Sequence, residues 1–417
     1  MTASGTAASG TAAGDPARSW PRVLTDRTFG RYMAGNLVTM LGTWIFTIVA
    51  VVVAYGATGS AAVAGAVTAA QFAPQILLGP LAGAAADRWD RRTQAAVGHS
   101  IAAAGTGGLA VWVWTQGLDG AVAVPLVAAS AVHGIGASIA GPAMLSLVPS
   151  LVRPSELPTA VTLGMAPLPL GRALGPLLGT ALAAAVHPAL AFAVTSACSL
   201  AFVVMLRGLR PRTVVVPGEG RDGVPGVWTY LRRNRPLVVL LVCVGAVGVG
   251  TDPSITLAPA LSTQLTGGTG LSGSIATAFG IGAGLGFAVL PPARRALGLR
   301  RYGYAGLLLM AAGNVVSAVG PTVVPVLAGF VLAGAGLTVT MTGLSSTLQM
   351  SLPEAIRGRV MALWSVAFVG TRPLAAVANG LVTDHLSAPV ALCGVGLVAA
   401  GAGCLGLLRG EGSRRTG

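Results

Sequence analysis

The sequence predicts an all-α integral membrane protein with twelve transmembrane helices arranged as two six-helix halves, and three observations carry that expectation. Of 417 residues, 53% are hydrophobic and only 9% charged, whereas soluble domains carry about 25% charged residues. Apolar stretches of about 20 residues or more, the length that crosses a bilayer, recur between short polar clusters. The 26 basic residues, every one an arginine, sit in those clusters and outnumber the 12 acidic residues.

In chain order the first block of stretches reads 32–56, 61–86, 93–116, 121–148, 159–186 and 188–206. The second block reads 236–262, 270–292, 302–320, 322–349, 359–383 and 387–408. Residues 1–30 are rich in Ala, Gly, Thr and Ser, with no long apolar core behind a basic start, and read as a disordered cytoplasmic tail rather than a cleaved signal. The expected division is then a first half over 31–206, an arginine-rich cytoplasmic linker over 207–235, a second half over 236–408 and a short tail over 409–417. Sixty glycines recur with alanine inside the stretches, which suits helices that approach closely in lipid.

Arginine placement orients the chain, because cytoplasmic loops collect basic residues. With the N-terminus inside, the even-numbered connections hold Arg88, Arg91, Arg92, Arg153, Arg294, Arg295, Arg300, Arg301, Arg357 and Arg359. Odd-numbered connections, such as Gln116–Ala121 and Asp384–Pro389, hold none. Both ends are therefore expected in the cytoplasm of a bacterial-type inner or plasma membrane.

Composition also excludes several functions. A nucleic-acid partner is not expected, since the net charge of +14 lies in topology clusters rather than on one polar face. Cys198, Cys243, Cys393 and Cys404 all lie in apolar runs without ligand spacing, so neither a disulfide framework nor a metal site is implied. With no lysine there is no Walker-type loop, and no HExxH or paired-carboxylate site is present, so the chain reads as neither an enzyme nor a self-contained ATP-driven pump, with no cofactor.

An internal echo relates the halves. The fourth stretch leaves through Pro149-Ser-Leu-Val-Arg153-Pro-Ser-Glu156 and the fifth then carries Gly171-Arg172; the tenth leaves through Leu352-Pro353-Glu354-Ala-Ile-Arg357 and the eleventh carries Gly370-Thr-Arg372-Pro373. Related halves around a midplane site are a common basis for alternating access.

Two motifs carry a family resemblance. Between the second and third stretches the chain reads Gly83-Ala-Ala-Ala-Asp87-Arg88-Trp89-Asp90-Arg91-Arg92, which resembles the signature of the major facilitator superfamily, with Asp90 where that signature has its second glycine. The departure is similar to the branch containing siderophore and macrolide exporters. Asp87 among arginines at a helix end can cap a neighbouring helix and pair across the halves, a gate; an ordinary positive-inside loop is the alternative. The second motif, Gly171-Arg172-Ala-Leu-Gly175-Pro176-Leu-Leu-Gly179-Thr180, resembles the antiporter motif of the drug-efflux branches, with Thr180 replacing its last glycine. Glycines at this spacing make a smooth packing face and Pro176 removes a backbone bond. Generic small-residue packing remains the other reading. The fourth stretch lacks the arginine that proton-coupled relatives carry there, having Ser130 and His133 in the corresponding places.

Ionisable groups inside spans cost about 2.5–3.5 kcal/mol at a helix centre and so tend to face a cavity. Asp252 is either a proton or cation site or a carboxylate at the outer mouth capping a kink before Pro253. Arg172 and Arg372 either bind an anionic cargo, partner Asp252, or satisfy carbonyls freed by Pro176 and Pro373. His133 either titrates or packs. Asn36, Thr43, Gln71, Asn314 and Asn379 are candidates for lining a cavity or for joining helices, and Trp44 and Phe72 for stacking on cargo.

The resemblance implies a major facilitator fold and a monomeric secondary transporter, exporting a small amphipathic or hydrophobic molecule in exchange for protons. An importer or uniporter of a polar metabolite, and a non-transporting membrane sensor or scaffold, are the alternatives.

Overall fold

A computed structural model describes residues 20–86, 88–209, 234–352 and 354–411. Asp87, both outer ends of the chain and most of the 207–235 linker lie outside the described residues, as do the side chains of Arg294, Arg357 and Arg359. Twelve helices are long and apolar enough to cross a membrane, and no strand occurs among the described residues. They are α1 (Arg27–Thr58), α2 (Ala61–Ala86), α3 (Arg91–Gln116), α4 (Ala123–Leu151), α5 (Pro154–Ala185) and α6 (Pro188–Arg207), followed by α7 (Arg235–Thr256), α8 (Thr269–Phe287), α9 (Leu299–Val319), α10 (Val323–Ser351), α11 (Leu363–His385) and α12 (Ala388–Arg409). The chain is a multi-pass membrane protein.

Local chemistry sets the helix ends. Asp26 caps α1, its carboxylate accepting from the backbone N–H of Thr28 at 2.9 Å and of Phe29 at 3.2 Å. At the other end Gly59, with φ +66°, returns its N–H to the Tyr55 carbonyl at 2.7 Å, a left-handed closure that glycine adopts without strain. Asp90 caps α3 by accepting from the Thr93 N–H and hydroxyl.

Two expected continuous spans are broken. The stretch 159–186 consists of a helix Leu157–Gly164 and a second helix Pro167–Ala185. The stretch 236–262 consists of Arg235–Thr251, Pro253–Thr256 and Ala258–Thr266. In each case a proline at the break, Pro167 or Pro253, has no N–H to continue the ladder.

Packing partners recur six helices later in the chain. In the first half α1 packs on α5 and α6, α2 on α4, and α3 on α4 and α6; in the second, α7 packs on α11 and α12, α8 on α10, and α9 on α10 and α12. Glycine permits the closest of these approaches. A Cβ added at Gly98 of α3 would come within 2.5 Å of the Gly136 carbonyl of α4, and one at Gly313 of α9 within 2.5 Å of the Gly329 carbonyl of α10. Backbones in contact at this range maximise dispersion where lipid supplies no hydrophobic drive between helices.

The halves meet along two seams, α2 against α11 and α5 against α8. Gly65 faces the Ala376 carbonyl, and Gly380 faces that of Ala61. On the other seam, Gly280 lies so close that a Cβ would come within 2.6 Å of the Arg172 carbonyl, and Gly273 faces Thr180. Ala61, Gly65, Gly273, Thr180 and Gly380 lie toward the helix ends farther from the chain termini, and Arg172, Gly280 and Ala376 lie near mid-helix.

Candidate functional site

The break in α7 puts Asp252 at the end of one helical segment and Ser254 and Thr256 in the next turn, all buried. Asp252, only 1% exposed, accepts from Asn379 Nδ2 of α11 at 2.8 Å and from the Thr256 hydroxyl at 2.7 Å. The Thr256 hydroxyl in turn lies 3.2 Å from that of Thr68 on α2. A polar chain thus runs from α11 through α7 to α2, crossing between the halves. It gives both carboxyl oxygens a donor, as a buried polar group requires.

The two mid-helix arginines flank this chain and are held differently. Arg172 of α5 lies over two rings, Trp44 of α1 at 4.8 Å and Phe279 of α8 at 4.2 Å, and its Nη2 donates to the Ser254 hydroxyl at 3.3 Å. The Ser254 hydroxyl itself donates to the Thr251 carbonyl at 2.9 Å. Arg372 of α11 lies over the Phe72 ring of α2 at 3.7 Å, and its Nε and Nη2 are buried without a hydrogen-bond partner. Each guanidinium therefore reaches across a seam onto an aromatic face of the opposite half, a cation–π contact strengthened by exclusion of water. Asp252 and Arg372 lie within electrostatic reach of each other, as do the two arginines.

Four of the candidate residues, Arg172, Asp252, Arg372 and Asn379, are brought together in this zone. Gln71 is tied nearby on α2, its amide donating to the Thr47 hydroxyl at 2.8 Å while Thr47 donates to the Thr43 carbonyl at 2.7 Å. Asn36 is buried on α1. Asn314, fully buried in α9, donates to the Met310 carbonyl of its own helix at 3.0 Å. His133 packs its ring on Phe46 with centroids 4.7 Å apart, and both ring nitrogens lack a partner.

The glycine motif of α5 packs on α1. A Cβ at Gly171 would come within 2.9 Å of Met40, one at Gly175 within 2.6 Å of Trp44 Cβ, and one at Gly179 within 3.1 Å of Ile45 Cα. Pro176 is buried in the same helix, and its carbonyl accepts from Thr180 at 2.9 Å. The face therefore sets how Trp44 is offered to Arg172.

Around the first motif, Gly83 has open space where a Cβ would stand, and Arg88 is exposed. Arg91 donates to the Ser146 carbonyl of the first half at 3.0 Å and Arg92 to the Leu209 carbonyl at the start of the linker at 2.6 Å. Partial burial pushes the Asp90 carboxyl up, but hydrogen bonds from Thr93 and Arg92 outweigh it and leave the group below the ordinary value, hence ionised at neutral pH.

Sequence reasoning did not single out Thr68, Ser254, Thr256, Phe279 or Asp384. Hydroxyl and phenyl groups are common in spans, so no local signal separates these from packing residues. Asp384 had one: it is a lone carboxylate at the end of a span. Its carboxylate accepts from the Ser60 hydroxyl at 2.5 Å and from the N–H groups of Ala61 and Ala62 at 2.6 and 3.0 Å, capping α2 from the opposite half. No group of three or more metal-ligating side chains occurs among the described residues.

The fold is shared with solved transporters of low sequence identity. The nucleoside transporter NupG superposes with a TM-score of 0.70 at 13% identity, over 91% of this chain and 97% of that one. An auto-inhibited POT family peptide transporter gives 0.74 at 14%, over 93% and 97%. In sequence, the chain is 31% identical over 358 residues to uncharacterized MFS-type transporters of Mycobacterium bovis and Mycobacterium tuberculosis, covering 79% of this chain and 78% of each relative. The family model described as transmembrane secretion effector matches residues 21–409. With that match over nearly its whole length, the chain belongs to the transmembrane secretion effector family of major facilitator transporters.

Proposed function

We propose that the protein exports a small amphipathic or hydrophobic molecule in exchange for protons, by alternating access between two rocking six-helix halves. The observation that carries this reading is the buried chain from Asn379 through Asp252 and Thr256 to Thr68, which couples one titratable group to both halves. An ionised carboxylate only accepts hydrogen bonds, whereas a protonated one must donate one. Gaining a proton turns one carboxylate oxygen into a hydroxyl that must find an acceptor of its own and weakens what it accepts from Asn379 or Thr256, a change that Thr256 passes toward Thr68 at the α2 seam.

The aromatic rings at the seams suit the apolar body of such a cargo. The free N–H groups of Arg372 suit an acceptor on its polar end. The close glycine contacts of Gly65, Gly380 and Gly273 near the helix ends away from the termini support closure there and cargo entry from the end that carries the termini, expected in the cytoplasm from the arginine distribution. Export also fits the described name of the family and the glycine face of α5. Gly83, Asp87, Arg88, Arg91 and Arg92 would act when that end closes.

A second reading is import of a small polar metabolite, favoured by the same unpaired donors on Arg372. Reconstituted vesicles separate the two. With an imposed pH gradient, export by proton exchange predicts cargo movement opposite to the proton flow. Movement with the protons makes import the better reading, and flux indifferent to the gradient removes the coupling.

A further inference from the structure

A second binding region lies away from the seams. A cavity of about 540 Å³ opens between the start of α3 and the end of α6, helices that pack on α1, α4 and each other within the first half. Its rim is polar: Asp90, Arg92, Thr93 and Arg207. Its walls are apolar, with Val97 and Ile101 from α3 facing Val203 and Leu206 from α6. Polar groups thus gather where the helices end and apolar ones where they run into the membrane.

The rim is also short of negative charge. Arg92 is fixed by donating one Nη to the Leu209 carbonyl, while its Nε is buried without a hydrogen-bond partner, 3.8 Å from Asp90 Oδ1. The other oxygen of Asp90 is engaged by Thr93. Arg207, in the last turn of α6, is exposed. Two guanidinium groups against one carboxylate leave a net positive rim above an apolar slot.

We propose that this cavity is a binding site for an anionic phospholipid, with the phosphate held between Arg92 and Arg207 and the start of an acyl chain along Val97 and Ile101, over a floor formed by the buried Val203 and Leu206. A free inorganic anion would use the rim and leave the apolar walls uncovered, whereas a lipid covers both. Basic pockets between membrane helices at the headgroup level recognise anionic lipids in this way. The site is built on α3 and α6 and not on α7, α8 and α11, and it shares only Arg92 with the proposed gate.

The test is native mass spectrometry of the full-length protein in detergent, with phosphatidylglycerol and phosphatidylcholine offered at equal concentration. Wild type should retain phosphatidylglycerol preferentially, by roughly five- to thirtyfold for one net to two full basic contributions. Arg207→Gln should reduce that preference, and Arg92→Gln/Arg207→Gln should bring it close to unity. Ser100→Trp, which places a ring into the slot and keeps both arginines, should also expel the lipid and keeps the test valid where the double variant fails to fold. Unchanged preference in Arg207→Gln and Ser100→Trp overturns the site. Complete displacement of phosphatidylglycerol by millimolar inorganic phosphate overturns the lipid assignment.

Discussion

Asp384 and Ala61 are separated by 323 positions, yet the Asp384 carboxylate accepts the Ala61 N–H at 2.6 Å. With Ala62 and Ser60 bound as well, the first donors of α2 are satisfied by a charge from the opposite half. An anion at a helix N-terminus is favoured by the dipole. The sequence suggested such a cap at the arginine-rich end for Asp87, which lies outside the described residues; the cap by Asp384 stands at the other end.

Asp384→Asn should weaken this closure. It removes the charge while keeping size, and charge-assisted hydrogen bonds are worth about 1.5–3 kcal/mol against about 1 for neutral ones. The expected loss of about 1 kcal/mol shifts the access equilibrium roughly fivefold toward opening at the end away from the termini. Spin labels placed across the α2–α11 seam near that end should report longer distances; distances identical to wild type would show that the cap does not hold the seam.

Asp252→Asn should abolish uphill, pH-driven transport and retain counterflow exchange of cargo. The amide keeps the size of the carboxyl and, unable to exchange a proton, removes the coupling step. Uphill transport at the wild-type rate in vesicles with equal protein content would exclude Asp252 from coupling.

Gly175→Leu should trap the cargo in cells. Its Cβ alone would stand 2.6 Å from Trp44 Cβ, and overpacking of this kind costs about 1–3 kcal/mol. Displacing Trp44 also removes one of the two rings under Arg172. Cargo retained per cell, compared among wild type, knockout and variant at equal membrane abundance, measures it. A knockout holding less cargo than wild type reverses the direction of transport.

The two arginines should respond differently to lysine. Arg372→Lys keeps the charge but loses the planar stack on Phe72 and the free Nε donor, so cargo affinity should fall about tenfold with the protein still abundant, a loss near 1.4 kcal/mol. Arg172→Lys loses two ring contacts and the bond to Ser254, and should lower thermal stability more than affinity. Equal effects on both quantities at both positions would mean that the arginines share one role.

How much of this was legible varies with the kind of interaction. The second span was read as 61–86 and is Ala61–Ala86, because an apolar run bounded by Gly-Ser and by Asp-Arg marks its own ends. The break at Pro253 was weighed as a kink beside Asp252, whereas that at Pro167 was passed over, since prolines inside apolar runs are tolerated in many membrane helices and only neighbouring groups decide whether one interrupts the ladder. Asp252 and Asn379 were both noticed as polar residues in spans, but nothing in their 127-position separation announces that they bond.

By itself the sequence determined that this chain enters a membrane and how many times it can cross, because hydropathy and helix length are local properties summed over each stretch. It also determined that the two halves echo each other, since both carry a lone arginine at the same depth. Only the tertiary structure decided which polar groups meet. Asp252 reaches Thr68 through Thr256, Arg172 lies between Trp44 and Phe279, and Asp384 caps α2, because glycine contacts such as Gly280 with Arg172 and Gly65 with Ala376 fix the rotation and separation of whole helices. A residue's type states what it needs in a low-dielectric interior; the rotation of its helix selects the partner that supplies it.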